Sequence, residues 1–403
     1  MTTSTTTAMR TDPLTEPALT RAGAARLDVI DLLRGLVIIL MVLDHARDYF
    51  HAEAFLYDPV DPARSNLAVF GTRWITHLCA PTFVFLSGVS AYLQRANGKT
   101  PTSLSRFLLT RGLWLVFLEI TLVSLGFNFG PVLFMQVIWA IGASMVLLAA
   151  LTWAPPAVVG ALGAVIIIGH PALAGVDAAD FGSWGLLWGF MMELTLIPGL
   201  GFVAYPLLPW AGVMFLGYGL GGLFLKAPQE RRRTVLFVAL GMLAAFAVLR
   251  GFNVYGDPVP WSIQASPERT AMSFMNLFKY PPSLLYVLAT LGVSLMLSLP
   301  LEHLKGLPAR VLLAFGRTPL FTYVLHIYVL HLGALAIAAA TGFDPSILIN
   351  FVVDPSRTVK AGWGFGLPMV YLLWALTIAA LYPLSAWFAG VKRRRRDWWL
   401  SYL

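Results

Sequence analysis

Arg34 and His45, eleven positions apart, are the two residues of this chain whose types and spacing first suggest chemistry. In Ile30-Asp31-Leu32-Leu33-Arg34-Gly35 and Asp44-His45-Ala46-Arg47-Asp48-Tyr49-Phe50-His51, polar residues bracket the apolar stretch Leu36–Leu43. At ~100° per residue a helix brings Arg34 and His45 to within about 20° of one face, roughly 16 Å apart along its axis. Asp31 and Asp48 fall within about 60° of that face. The pattern predicts a guanidinium compensated by Asp31 at one depth and an imidazole oriented by Asp48 at another, a pair able to hold an anion and move a proton.

Further histidines join them. Five of the seven, His45, His51, His77, His326 and His331, lie in or at the edge of strongly apolar segments. An imidazole prefers water unless it has a partner or a task, so their convergence points to a site, with His326 the natural companion of His45. No pair has the spacing of metal ligands with a carboxylate beside it, so no metal is expected. Arg106 and Arg111 open another apolar segment, with Glu119 two turns deeper. Together with Arg34 these arginines would form a positive pocket for a phosphorylated cofactor, because guanidinium groups bind phosphate oxygens bidentately. Nucleophile-elbow and P-loop signatures do not occur, and no glycine motif stands in the strand–turn–helix setting of a dinucleotide fingerprint.

The elements that must position these groups are membrane helices. The 403 residues are 58% hydrophobic and 12% charged, against roughly 25% charged in a soluble domain. Apolar runs suggest about ten spans, near 29–50, 72–93, 107–126, 131–152, 155–171, 204–225, 234–250, 280–299, 311–339 and 367–390. Several of the 13 Trp and 13 Tyr mark their ends. The expected class is an all-α, polytopic protein of the inner or plasma membrane, with the lipid bilayer as its solvent.

Alternating the spans from a cytoplasmic N-terminus puts Arg95/Lys99/Arg106, Lys226/Arg231/Arg232/Arg233, Lys305/Arg310 and the tail Lys392–Arg396 inside. Both termini are then cytoplasmic. The net charge of +8 is explained by these anchors, so nucleic acid is not an expected partner. Residues 1–25 read as a disordered extension and 26–403 as one transmembrane domain without internal repeats. The stretch 182–203, interrupted by Glu193 and Pro198, fits a re-entrant segment, an interfacial one or an eleventh span. The single cysteine, Cys79, excludes disulfides.

An Arg with ten residues before a His in the first span resembles the signature of transmembrane acyltransferases, including those that O-acetylate bacterial cell-surface glycans. Ile30–Gly35 with Leu40-Met41-Val42-Leu43-Asp44-His45 and Ala80-Pro81-Thr82-Phe83-Val84-Phe85-Leu86-Ser87-Gly88 is more closely similar to prokaryotic relatives of heparan-α-glucosaminide N-acetyltransferase. So are Tyr205–Trp210, Tyr280–Leu284, Gly316–His326 and Asp397–Leu403, and the likeness covers about residues 26–403. It implies acyl transfer from cytoplasmic acetyl-CoA, the donor, to a small-molecule or glycan acceptor on the other side of the membrane. It also implies an essential histidine, for which His45 is favoured and His51 is the alternative. A permease or exporter that uses the same buried charges without covalent chemistry is the rival reading. Acceptor identity, acyl length and the choice between monomer and homodimer are not legible in the sequence.

Overall fold

A computed structural model describes residues 18–395 and 397–402; residues 1–17 of the expected extension and Arg396 of the basic tail lie outside that range. Helix α1 (Ala18–Phe50) is followed by α2 (Leu67–Thr76) and α3 (Cys79–Ala96), which meet at a break beside His77. Helix α4 (Pro101–Leu118) continues through a π-bulge at Glu119–Val123 into α5 (Ser124–Asn128). Strand β1 (Leu133–Met135) leads to α6 (Val137–Leu151) and α7 (Pro156–Gly169). The short α8 (Gly185–Met192) precedes strands β2 (Thr195–Ile197) and β3 (Gly201–Val203). Then come α9 (Leu207–Leu220), α10 (Pro228–Phe252), α11 (Pro267–Met275) and α12 (Leu284–Leu301). Helices α13 (Gly306–Arg317), α14 (Pro319–Ala340), α15 (Ser356–Ala361) and α16 (Leu367–Arg394) follow, with a 3₁₀ turn at Trp398–Ser401 after them.

Among the described residues, eight helical segments are long and apolar enough to cross a membrane, and α6 is a shorter apolar helix. Each expected span coincides with one of these, with α6, or with α1, whose 33 residues carry the charged stripe. The protein is therefore an all-α polytopic membrane protein. Apolar side chains such as Phe237 and Leu240 on α10, and Leu372 and Leu376 on α16, point outward, as a lipid-facing surface requires.

Two stretches differ from expectation. The segment 311–339 is broken at Thr318, because Pro319 has no N–H to donate to the preceding turn and instead starts α14. The stretch 182–203 forms α8, eight residues or ~12 Å long, and two strands that join β1 in a three-stranded sheet ordered β1-β3-β2. Strand β3 pairs parallel with β1 and antiparallel with β2.

Helix α1 packs against α3, α12, α13, α14 and α16, so its polar stripe lies inside the bundle. Its contact with α13 is backbone to backbone: a Cβ on Gly35 would lie 1.9 Å from the Leu312 carbonyl oxygen, and one on Gly316 would lie 1.8 Å from that of Asp31. Small residues at such crossings let membrane helices approach closely. Gly35→Ala or Gly316→Ala is expected to force the helices apart at a cost of roughly 1–3 kcal/mol. Melting of the purified protein in detergent checks this, with Gly241→Ala on α10, where no atom lies within 4 Å, as the variant expected to melt like the parent.

Candidate active site

A cavity of about 1030 Å³ opens between α1, α3, α4, α6, α13, α14 and α16. Seven basic side chains, Arg34, Lys99, Arg111, Arg310, Arg317, Lys392 and Arg393, line it, against the single carboxylate of Asp31. Arg34 donates from Nη1 to Asp31 Oδ1 at 2.8 Å and to the Gly316 carbonyl at 3.4 Å, and from Nη2 to Ser90 Oγ at 3.0 Å. The Arg34–Gly35 and Gly316–Arg317 pairs are thus one construction: the glycines let the backbones touch, and the neighbouring arginines enter the cavity. Arg317 reaches back to Asp28 at 2.9 Å and lies 3.7 Å from Asp31.

Along α1 the lining continues from Asp31 and Arg34 to Ile38 and Met41, and along α14 from Pro319 and Leu320 to Tyr323. The next residues on these helical stripes, three or four positions on, are His45 and His326. Both are buried, and His45 Nδ1 lies 2.7 Å from His326 Nε2 with the rings 7° from parallel. His326 Nδ1 lies 3.1 Å from the Thr322 carbonyl, which can only accept, so that nitrogen carries hydrogen. In the neutral pair His326 Nε2 then accepts from His45 Nδ1, and the unprotonated lone pair falls on His45 Nε2. Phe127 packs edge-on to His45 at 5.1 Å between ring centroids. The arrangement is a large basic cavity with, one helical turn beyond its lining on α1 and α14, a hydrogen-bonded imidazole pair whose free lone pair is on His45 Nε2.

Not every expected residue joins it. Asp48, read as orienting His45, accepts instead from Arg47 Nη2 at 2.6 Å, and the partner of His45 is His326. His51 follows α1 and, with Asp48, borders a separate recess of about 10 Å³. Arg111 lines the basic cavity, whereas Arg106 is exposed and is not part of its lining. His77 is buried against the Tyr286 ring, 5.3 Å away, and His331 lies 2.8 Å through Nδ1 from the Gly126 carbonyl, tying α14 to α5. Glu119 sits in the π-bulge and caps α6, accepting from the backbone N–H of Gln136 at 2.9 Å and of Trp139 at 3.0 Å.

The residues that sequence reasoning passed over are of two kinds. Lys99, Arg310, Lys392 and Arg393 look in sequence like topological anchors, because a basic loop end is the same signal whether it meets lipid or lines a cavity, and Arg317 carries no role there beyond its place in the family-like run Gly316–His326. Asp44 and Arg73 are 29 positions apart, with nothing local to connect them. In the fold Arg73 Nη1 donates to both Asp44 oxygens, at 2.6 and 2.8 Å, and Thr76 donates to Oδ1 at 2.8 Å. This ion pair is fastened to the residue beside His45 and locks α2 to α1.

The family model described as heparan-alpha-glucosaminide N-acetyltransferase, catalytic, matches residues 26–255. No curated protein matches the chain. The matched range includes Arg34, His45, Arg73 and Arg111; His326, Tyr323, Arg317 and Lys392 come from the chain beyond it. Since Asp44 is the buried partner of Arg73, Asp44→Ala is expected to destabilise the protein by about 3 kcal/mol through the charge it leaves uncompensated. A melting comparison with the Asp44→Ala/Arg73→Met double variant checks this: the second change should recover most of the loss.

Proposed function

The chain belongs to the heparan-α-glucosaminide N-acetyltransferase catalytic family, and on that premise we propose that it moves an acetyl group from cytoplasmic acetyl-CoA to a sugar or glycan acceptor on the extracytoplasmic side of the inner or plasma membrane. As a member it is a multi-pass membrane acyltransferase. The observation that carries the finer reading is the placement of the His45–His326 pair on the helical stripes that line the basic cavity.

Each part of the donor finds matching chemistry. The polyanionic end of CoA suits Arg34, Arg111, Arg317 and Lys392, whose charges exceed the one carboxylate among them. The apolar lining at Ile38 and Met41 suits the pantetheine arm, which extends on the order of 15–20 Å, comparable to the rise of α1 from Arg34 to His45. The thioester then arrives at the imidazole pair. The alternative histidine, His51, borders a recess of about 10 Å³, which holds one water at most and has no room for an acyl thioester.

In the reaction, His45 Nε2 takes the proton of the acceptor hydroxyl or amine as its oxygen or nitrogen bonds to the thioester carbonyl carbon. His326 supports the imidazolium by accepting from Nδ1. When the carbon–sulfur bond breaks, the thiolate recovers that proton from Nε2 and leaves as free CoA, so both rings return to their starting tautomers.

His45→Ala is expected to lower transfer at least ~10³-fold while leaving CoA affinity within about twofold of the parent. Arg34→Ala and Arg111→Ala should each weaken CoA binding about tenfold, equivalent to ~1.4 kcal/mol. Thiol release from acetyl-CoA with candidate sugars, together with CoA titration calorimetry, reads both effects. Near-normal turnover by His45→Ala would refute its role.

A further inference from the structure

We propose that Tyr323 is a further catalytic residue, its phenol hydroxyl donating a hydrogen bond to the thioester carbonyl oxygen. The inference rests on the acetyl-CoA reading above. Tyr323 is 2% exposed, and its hydroxyl has no hydrogen-bond partner. A buried hydroxyl left unsatisfied costs roughly 1–3 kcal/mol, so its retention calls for a partner supplied by something that binds.

Its position says what that partner is. Among the described residues, Tyr323 is the only one that both lines the basic cavity and carries a buried, unpartnered polar side-chain atom. Other interior phenols are satisfied within the fold: Tyr49 donates to the Phe127 carbonyl at 3.3 Å and Tyr286 to that of His77 at 2.8 Å. Tyr323 is one helical turn before His326 on α14, its ring centroid 5.5 Å from that ring and 6.4 Å from that of His45. A group that reaches His45 through the cavity therefore passes the phenol, with the base contributed by α1 and the hydroxyl by α14.

The phenol keeps its proton throughout. As the acceptor oxygen or nitrogen bonds to the carbonyl carbon, the π pair moves to oxygen, and the O–H of Tyr323 binds the developing oxyanion. As the carbon–sulfur bond breaks, that pair returns, the carbonyl re-forms, and the thiolate takes the proton held on His45. A donor already buried and not spent on another partner is preorganised for this charge, the condition under which such hydrogen bonds contribute most to rate.

The test compares the wild type with Tyr323→Phe, which removes one oxygen and no packing. Binding is measured by calorimetry with CoA, turnover by thiol release, and the carbonyl environment by infrared spectroscopy of bound [1-¹³C]acetyl-CoA without acceptor. Tyr323→Phe should lower kcat about 10²–10³-fold, with CoA affinity and melting temperature unchanged, because the lost oxygen has no protein partner. The carbonyl band should sit at lower wavenumber in the wild type than in the variant. Equal turnover and equal bands would overturn this inference alone and leave the acyltransferase reading standing. Collapse of folding or of CoA affinity would assign the hydroxyl a structural role and overturn it too, and a wild type that binds no acetyl-CoA would remove both.

Discussion

Helix α1 carries Asp28, Asp31, Arg34, Asp44, Arg47 and Asp48 into a bundle whose outer surface is apolar, and hydrocarbon gives such charges no partner. Every one must be answered from inside the protein, and the answers organise the fold. Arg317 binds Asp28 and Arg34 binds Asp31 at one end; Arg73 binds Asp44 and Arg47 binds Asp48 at the other. Between them lie the residues that need only apolar contact or a ligand. Because α1 has no lipid-facing escape, it must run inside the bundle, where α2 answers Asp44 with Arg73 and α13 answers Asp28 with Arg317 and brings Gly316 against its backbone.

The same constraint makes the site. Close approach at Gly35 and Gly316 aligns α1 with α13, and the break at Thr318 then sends α14 alongside α1. Two parallel stripes result, one from Arg34 to His45 and one from Arg317 to His326. Charge is concentrated where they begin and imidazole where they converge. The thioester and the proton acceptor would meet in the interior, away from the bulk water that would otherwise compete as nucleophile.

Much of this was legible in the residues. The 100° rotation per residue put Arg34 and His45 on one face, and apolar runs placed each span on a helix but not its ends: α4 begins at Pro101 and α10 at Pro228, six residues before the expected starts at 107 and 234. The break in 311–339 was also written there, in Pro319, but a continuous apolar run outweighed it. The weak stretch 182–203 resolved into strands because β1 lies some 60 positions earlier in the chain, at 133–135, a pairing without local signature. Asp48 was assigned to His45 by helical proximity alone; adjacent Arg47 competes for the same carboxylate and holds it. Tyr323 could not be read in advance, since a tyrosine in an apolar run looks like packing until its hydroxyl is found without a partner.

The proposed reaction needs one donor path from the basic cavity to the imidazole pair, so the most direct measurement is a structure of the full chain solved with CoA bound. Phosphates are expected among Arg34, Arg111, Arg317 and Lys392, with the thiol beside Tyr323 and within reach of His45 Nε2. A CoA seated elsewhere, or one whose thiol points away from His45, would contradict this path.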